Sequence, residues 1–187
     1  MTERSAAYPI HPQFIDRWSP RSFMEYDMPL EELRSLLEAA RWSPSCANEQ
    51  PWLFYCALGQ EKVNQYLPLL EEGNQVWVKQ ASALLFLGAR KIFSESKKPN
   101  LLCKFDAGAA WMSLTLQAQA LGLATHAMSG IKSDAIYEML KINRIEVSII
   151  CAIAVGKRGS ADLLPEALKI REKPNNRKMI ENFEVRL

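Results

Sequence analysis

Hydrophobic and polar positions divide the chain into alternating helical and extended segments. Three continuous apolar runs, at residues 52–58, 83–88 and 147–155, predict buried strands, and a shorter strand or extended turn is expected at 124–128. Apolar residues at helical spacing predict a helix from Pro29 to about Arg41. Further helices are expected at 10–16, at 61–70 and at 133–141, where Ser133 can cap the first turn. This order predicts an α+β chain with a modest sheet covered by helices.

A further helix is predicted at residues 102–121, and its pattern is the most informative. One apolar stripe runs through Phe105 and Met112, and a second runs through Trp111 and Leu114. A helix that is apolar on most of its circumference must be buried on more than one side. Two alternatives follow: the helix lies at the centre of one chain, or it is shared with another subunit.

Composition narrows the class of protein. A chain of 187 residues is most simply one domain, residues 1–187, and its formal charge of +2 does not indicate a nucleic-acid partner. Four cysteines without C-x-x-C spacing and two histidines predict no metal site, and reduced thiols favour a cytoplasmic protein. No apolar run resembles a signal peptide or is long enough to span a membrane.

The first candidate motif is Arg17-Trp18-Ser19-Pro20-Arg21. In an extended stretch, alternate residues share a side, so two guanidinium groups and a hydroxyl can converge. Arginine suits bidentate contact with phosphate, and the motif therefore suits a phosphate monoester. The alternative is a basic turn that only faces solvent. Glycine-rich phosphate loops are absent from the sequence.

The second candidate motif is Ser43-Pro44-Ser45-Cys46-Ala47-Asn48-Glu49-Gln50-Pro51-Trp52. It places small polar side chains between the end of a predicted helix and the start of a predicted strand. Such side chains suit the edge of a flat polar heterocycle, although they could also satisfy only the loop backbone. A phosphate together with a flat heterocycle indicates a nucleotide-like cofactor.

These strings resemble the nitroreductase family of FMN-dependent oxidoreductases. The resemblance is strongest in Arg17-x-Ser19-x-Arg21 and in Pro44-Ser45-x-x-Asn48-x-Gln50-Pro51-Trp52. Asp106-x-Gly108-x-Ala110 is similar to the start of the family's long central helix, and Val155-Gly156 is similar to its last core strand. Arg177-Lys178 lies where family members often return a basic residue to the phosphate.

The resemblance implies a nitroreductase-like central mixed sheet flanked by helices, in an interlocked homodimer with two FMN sites at the interface. Residues implied at the phosphate and ribityl chain are Arg17, Trp18, Ser19, Arg21, Arg177 and Lys178. The other subunit is implied to place four residues beside the isoalloxazine ring: Pro44, Ser45, Cys46 and Asn48. The pyrimidine edge and flavin N5 are implied to lie near Asn74, Met128, Ser129 and Gly130.

The implied activity is hydride transfer from NAD(P)H through flavin N5 to a small electron-poor acceptor such as a nitroaromatic or quinone. The flavin supplies the redox chemistry, so no catalytic side chain and no metal are expected. Cys46 stands where the family more often has Ser, and Ser129 replaces a common acidic residue. The alternatives are other flavin chemistry on the same fold, namely reductive dehalogenation or flavin fragmentation, and a flavin-free binding dimer. His126 is expected to be a packed residue at a strand end.

Overall fold

A computed structural model describes residues 4–187. Within this range the chain forms four strands, β1 to β4, with the bounds Trp52–Leu58, Ala83–Arg90, Ala124–Met128 and Val147–Gly156. It also forms α-helices α1 to α7, with the bounds Gln13–Asp16, Leu30–Arg41, Gln60–Tyr66, Glu72–Val78, Cys103–Ala120, Ser133–Met139 and Glu166–Lys169.

The four strands form one sheet in the order β1-β2-β4-β3. The α+β class is confirmed, but each pairing in the described chain is antiparallel, which corrects the expectation of a mixed sheet. The reason is the position of β4. β2 and β3 run in the same direction and are joined through α5, yet β4 lies between them and pairs antiparallel with both.

The sheet is covered by helices on both faces. On β2, Leu85 and Leu87 pack with α2 and α5, whereas Leu84 and Phe86 pack with α3, α4 and α6. Successive side chains of a strand point to opposite faces, so a strand covered on both faces must be apolar at every position. This explains why residues 83–88 are a continuous apolar run that predicts a buried strand.

Two segments differ from the sequence-based expectation. The helix predicted at 61–70 ends at Tyr66 and is followed by a 3₁₀ turn at Leu67–Leu69, because Pro68 has no N–H to continue the α-helical bonds. Helix α4 was not expected, since Gly73 and Asn74 in its first turn disfavour a helix. From residue 164 onward, α7 and a short turn at Ile180–Asn182 interrupt an otherwise irregular segment.

Helix α5 buries only one face within the single chain. Leu114 and Ala118 are fully buried, while Phe105 is 75% exposed and Met112 is half-buried. The prediction of burial on more than one side is therefore not met by one chain, and the shared-helix alternative stays open. None of the helices formed by residues 4–187 combines the length and hydropathy needed to cross a membrane.

Candidate functional site

A cavity of about 180 Å³ lies where the Arg17–Arg21 loop, β3 and the C-terminal segment that follows α7 meet. We call it the arginine cavity. It is lined by Arg4, Arg17, Trp18, Ser19, Arg21, His126, Arg171, Lys173, Asn175 and Arg177. Arg17, Trp18, Ser19, Arg21 and Arg177, predicted from two distant parts of the sequence, are thus brought together. In the described part of the chain, no carboxylate lines this cavity.

The charges of the arginine cavity repel one another. Burial and the neighbouring guanidiniums of Arg177 and Arg4 lower the pKa of Arg17 below its ordinary value. Burial and Arg171 lower the pKa of Arg21, and the carboxylate of Glu172 only partly opposes this shift. A bound anion would relieve this repulsion, and arginine forks match the geometry of phosphate oxygens. The residues present therefore fit a phosphate monoester.

The Arg17–Arg21 loop is held in place from both sides. The Arg4 guanidinium donates to the carbonyl oxygen of Arg17 over 3.0 Å, and Arg17 Nη1 donates to Ser19 Oγ over 3.3 Å. From β3, the His126 Nδ1 atom lies 2.9 Å from the carbonyl oxygen of Pro20. Because a carbonyl can only accept, this contact assigns the proton to Nδ1. The loop is therefore fixed to the sheet.

His126 is a half-buried neutral base at the wall of the arginine cavity. Its ring centroid lies 4.7 Å from that of the fully buried Trp77. Burial lowers the pKa of His126 to about 4; its bond to the Pro20 carbonyl opposes this shift, and the charges of Arg21 and Arg17 add to it. His126 is thus packed at a strand, as expected, but it also lines the candidate site.

We expect the stability of the flavin-free protein to depend on pH through His126. Its pKa falls from 6.5 in the unfolded chain to about 4 in the folded chain. The stabilising contribution is present above pH 6.5 and is lost as the pH falls to 4, on the order of 3 kcal/mol. Urea unfolding of the wild type and of His126→Gln between pH 4 and 7 should show a steeper pH dependence in the wild type. His11→Gln, at an exposed position, is the control. Equal slopes for the wild type and His126→Gln would contradict this.

The second motif forms a loop with an unusual backbone. Ala47, Asn48 and Gln50 have φ angles of 52°, 55° and 52°, all in the left-handed region that favours glycine. Such non-glycine residues cost about 1–3 kcal/mol each and cluster at binding sites. The conformation therefore supports a functional role for this loop.

Contacts from inside and outside the loop hold this conformation. Ser45 Oγ accepts a hydrogen bond from the backbone N–H of Gln50 over 3.0 Å. The backbone N–H of Cys46 donates over 3.2 Å to a carboxylate oxygen of Asp106, which is 2% exposed at the start of α5. Pro44 and Asn48 are exposed and available to a ligand. Beyond the resemblance, nothing in the sequence marked Asp106 as part of the site.

One chain does not bring the two motifs to one cavity. Asp106 contacts the second motif near the start of α5, whereas Gln119, near its end, lines a separate cavity together with Arg17. The helix rise places these two positions about 20 Å apart along the axis, farther than a ribityl chain reaches. The second motif also precedes β1, while the arginine cavity adjoins β3 at the opposite edge of the sheet.

The residues predicted near the pyrimidine edge and flavin N5 lie at the end of β3 and on α4: Met128 ends the strand, Ser129 and Gly130 follow it, and Asn74 is in α4. Asn74 Nδ2 donates to the carbonyl oxygen of Gly130 over 3.0 Å, so these two predicted residues are brought together. A Cβ at Gly130 would lie 2.4 Å from Asn74 Nδ2, so only glycine fits without displacing Asn74. Met128 is buried at the end of β3, and Ser129 is exposed. Because His126 and Met128 share one face of β3, this strand links these residues to the arginine cavity.

Lys178 lies outside the arginine cavity. It lines a cavity of about 690 Å³ between the N-terminal and C-terminal segments, and Arg177 lines both cavities. Sequence reasoning missed five residues that line the arginine cavity: Arg4, His126, Arg171, Lys173 and Asn175. The basic composition of the tail was the available signal for Arg171 and Lys173. No local pattern marked the other three.

Comparison with known proteins assigns the family. The model of the nitroreductase family matches residues 15–74 and 58–157, which include both N-terminal motifs, the whole sheet and α5. The chain belongs to the nitroreductase family. The predicted membership of this family of oxidoreductases is confirmed.

Individual relatives agree with this assignment. An oxidoreductase whose crystal structure contains FMN is 41% identical, with a TM-score of 0.92 and coverage of 99% of this chain and 96% of that one. A protein of Stenotrophomonas maltophilia (strain R551-3), provisionally named NADH dehydrogenase/NAD(P)H nitroreductase, is 28% identical over 62% of this chain and 68% of its own. Chloronitrobenzene nitroreductase of Comamonas testosteroni is 34% identical over 25% of this chain, and the match spans only 21% of that protein.

Proposed function

We propose that this nitroreductase-family chain is a single FMN-binding domain that forms a homodimer and reduces small electron-poor molecules, such as nitroaromatics or quinones, with NAD(P)H. The observation that carries the proposal is the arginine cavity, in which burial and mutual repulsion lower the pKa of Arg17 and Arg21 and no carboxylate from the described residues lines the wall. The names of the FMN-containing and NAD(P)H nitroreductase relatives support the cofactor and the reductant. The cytoplasmic location stays a prediction.

FMN, when bound, supplies the two-electron chemistry that moves a hydride from NAD(P)H to the acceptor. The chain's own residues bind and orient it. In this proposal Arg17, Arg21 and Arg177 hold the phosphate, and Ser19 and Trp18 adjoin the ribityl chain. The polar edge of the ring faces the segment after β3, whose shape is set by the bond between Asn74 and Gly130. Polar groups in such a site stabilise the charge that develops during the reaction, because they are already oriented before it begins.

The homodimer is proposed from the placement of the two motifs. Because the second motif lies far from the arginine cavity of the same chain, Pro44, Ser45, Cys46 and Asn48 would come from a second copy. Exposed apolar side chains at the start of α5 support this, since Phe105 is 75% exposed and Leu101, just before the helix, is 91% exposed. Large exposed apolar patches mark interaction surfaces.

The dimer can be tested by sedimentation. We expect the flavin-loaded protein to sediment at twice the chain mass of 21.2 kDa. Phe105→Lys should shift the equilibrium toward monomer and release flavin, because a charge would have to be buried in the interface. Lys104→Ala, at the exposed neighbouring position, is the control. A monomer that keeps bound flavin would contradict the shared site.

The absorbance spectrum of the purified protein tests the proposed cofactor directly. We expect the flavin bands in the protein as purified, or after incubation with FMN. Oxidation of NADH and NADPH is then followed with a panel of nitroaromatic, quinone and halogenated acceptors, which distinguishes the proposed activity from reductive dehalogenation. A protein that stays colourless with excess FMN would favour the flavin-free binding dimer and overturn the proposal.

A further inference from the structure

The C-terminal segment is tied to the Arg17–Arg21 loop by one carboxylate. Both carboxylate oxygens of Glu172 lie 3.0 Å from the backbone N of Arg21, and one of them accepts from the backbone N–H of Ser22 over 2.9 Å. These residues are 150 and 151 positions apart in sequence. Hydrogen bonds from N–H groups to an ionised carboxylate are among the strong ones in proteins.

Glu172 makes the hydrogen bonds that join this segment to the Arg17–Arg21 loop. Among the described residues, the other hydrogen bonds of residues 170–178 are to positions within the segment or to the adjoining helix α7. Arg171 and Lys173, the neighbours of Glu172, both line the arginine cavity although their side chains are otherwise exposed. Arg177, further along, lines the same cavity. The position of three cations therefore depends on Glu172.

We propose that Glu172 is a positioning residue that gives the site its preference for FMN over riboflavin. This inference rests on the proposed function. By holding the backbone at Arg21 and Ser22, Glu172 would place Arg171, Lys173 and Arg177 against the flavin phosphate, which riboflavin lacks. Its carboxylate is turned to backbone N–H groups and does not line the cavity, so it would hold the cations in place without contacting the phosphate itself.

The test measures dissociation constants of the flavin-free protein for FMN and for riboflavin by quenching of flavin fluorescence. Glu172→Ala and Glu172→Gln should raise the dissociation constant for FMN about tenfold or more and change that for riboflavin less than about twofold. Glu184→Gln is the matched control, because Glu184 is also a glutamate near the C-terminus but pairs with Arg186 instead of the Arg17–Arg21 loop. This control should leave both constants unchanged.

The outcomes separate the inference from the proposed function. Wild-type protein that binds neither flavin would overturn the proposed function and the inference with it. Wild-type protein that prefers FMN, with Glu172 variants that keep or increase this preference, would overturn the inference alone. An equal loss of both flavins in the variants would show a general structural role and would also overturn it. Urea unfolding of each variant checks that the comparison is made on folded protein.

Discussion

Replacing Arg17 and Arg21 together with Ala is expected to weaken FMN binding by about 100- to 10,000-fold. Each charge-assisted hydrogen bond to phosphate contributes about 1.5–3 kcal/mol, and two such arginines are removed. The variant should also fold normally, because both side chains are only partly buried and their positive charges repel neighbouring arginines. The loss of affinity should therefore be accompanied by unchanged or slightly increased stability of the flavin-free protein.

The control must remove the same charge elsewhere. Arg41 and Arg144 each pair with a surface carboxylate, of Glu38 and Asp134 respectively, and neither lines the arginine cavity. The Arg41→Ala/Arg144→Ala variant should bind FMN with an affinity within about threefold of the wild type, since exposed pairs contribute little. Titration of both variants at one salt concentration separates phosphate contact from a general field effect. If the Arg17/Arg21 variant purified fully yellow with unchanged affinity, the phosphate assignment would be wrong.

Local sequence pattern was sufficient to predict those features that depend mainly on a segment's own residues. The three continuous apolar runs predicted β1, β2 and β4, and β3 lies where a short strand or an extended turn was expected. The burial of β1 differs from the prediction, because β1 lies at the edge of the sheet and most of its residues are only half-buried. The motif Arg17-x-Ser19-x-Arg21 could be recognised from the sequence because its residues are close together in the chain, and they share one cavity. The strand order could not be predicted from the sequence, because the position of β4 between β2 and β3 depends on contacts between distant segments.

The missed parts of the candidate site depend on such distant contacts. His126 lines the arginine cavity and contacts the carbonyl oxygen of Pro20, 106 positions away. Glu172 does not line the cavity but holds the Arg17–Arg21 loop through backbone N–H groups that carry no sequence signal. The left-handed backbone at Ala47 and Gln50 was unexpected because neither is glycine. Asp106 helps to hold this backbone by accepting a hydrogen bond from the N–H of Cys46, 60 residues away. Sequence identified the residues with distinctive chemistry and not those that hold them in place.

Trp77→Ala should lower the free energy of unfolding by about 3–5 kcal/mol, the usual cost of emptying a large aromatic site in a core. Trp77 is 2% exposed and packs between Phe23, with ring centroids 6.2 Å apart, and His126. The substitution should also weaken FMN binding, because the His126 ring would lose the surface that orients it toward the Pro20 carbonyl. The effect on binding should be smaller than that of the arginine double variant, since the guanidinium groups remain.

Trp42→Ala is the control within the same chain. Trp42 is 75% exposed, stacks with Arg41 and donates a hydrogen bond to Glu38, so its removal should cost about 1 kcal/mol or less. Urea unfolding of both variants at one protein concentration and pH 7 makes the comparison, because the stability of the proposed dimer would depend on concentration. Equal losses would show that the packing of Trp77 is not what stabilises this side of the sheet. A large loss of stability with unchanged FMN affinity would instead show that packing around Trp77 does not affect FMN binding in the arginine cavity. The role of His126 would then be limited to packing.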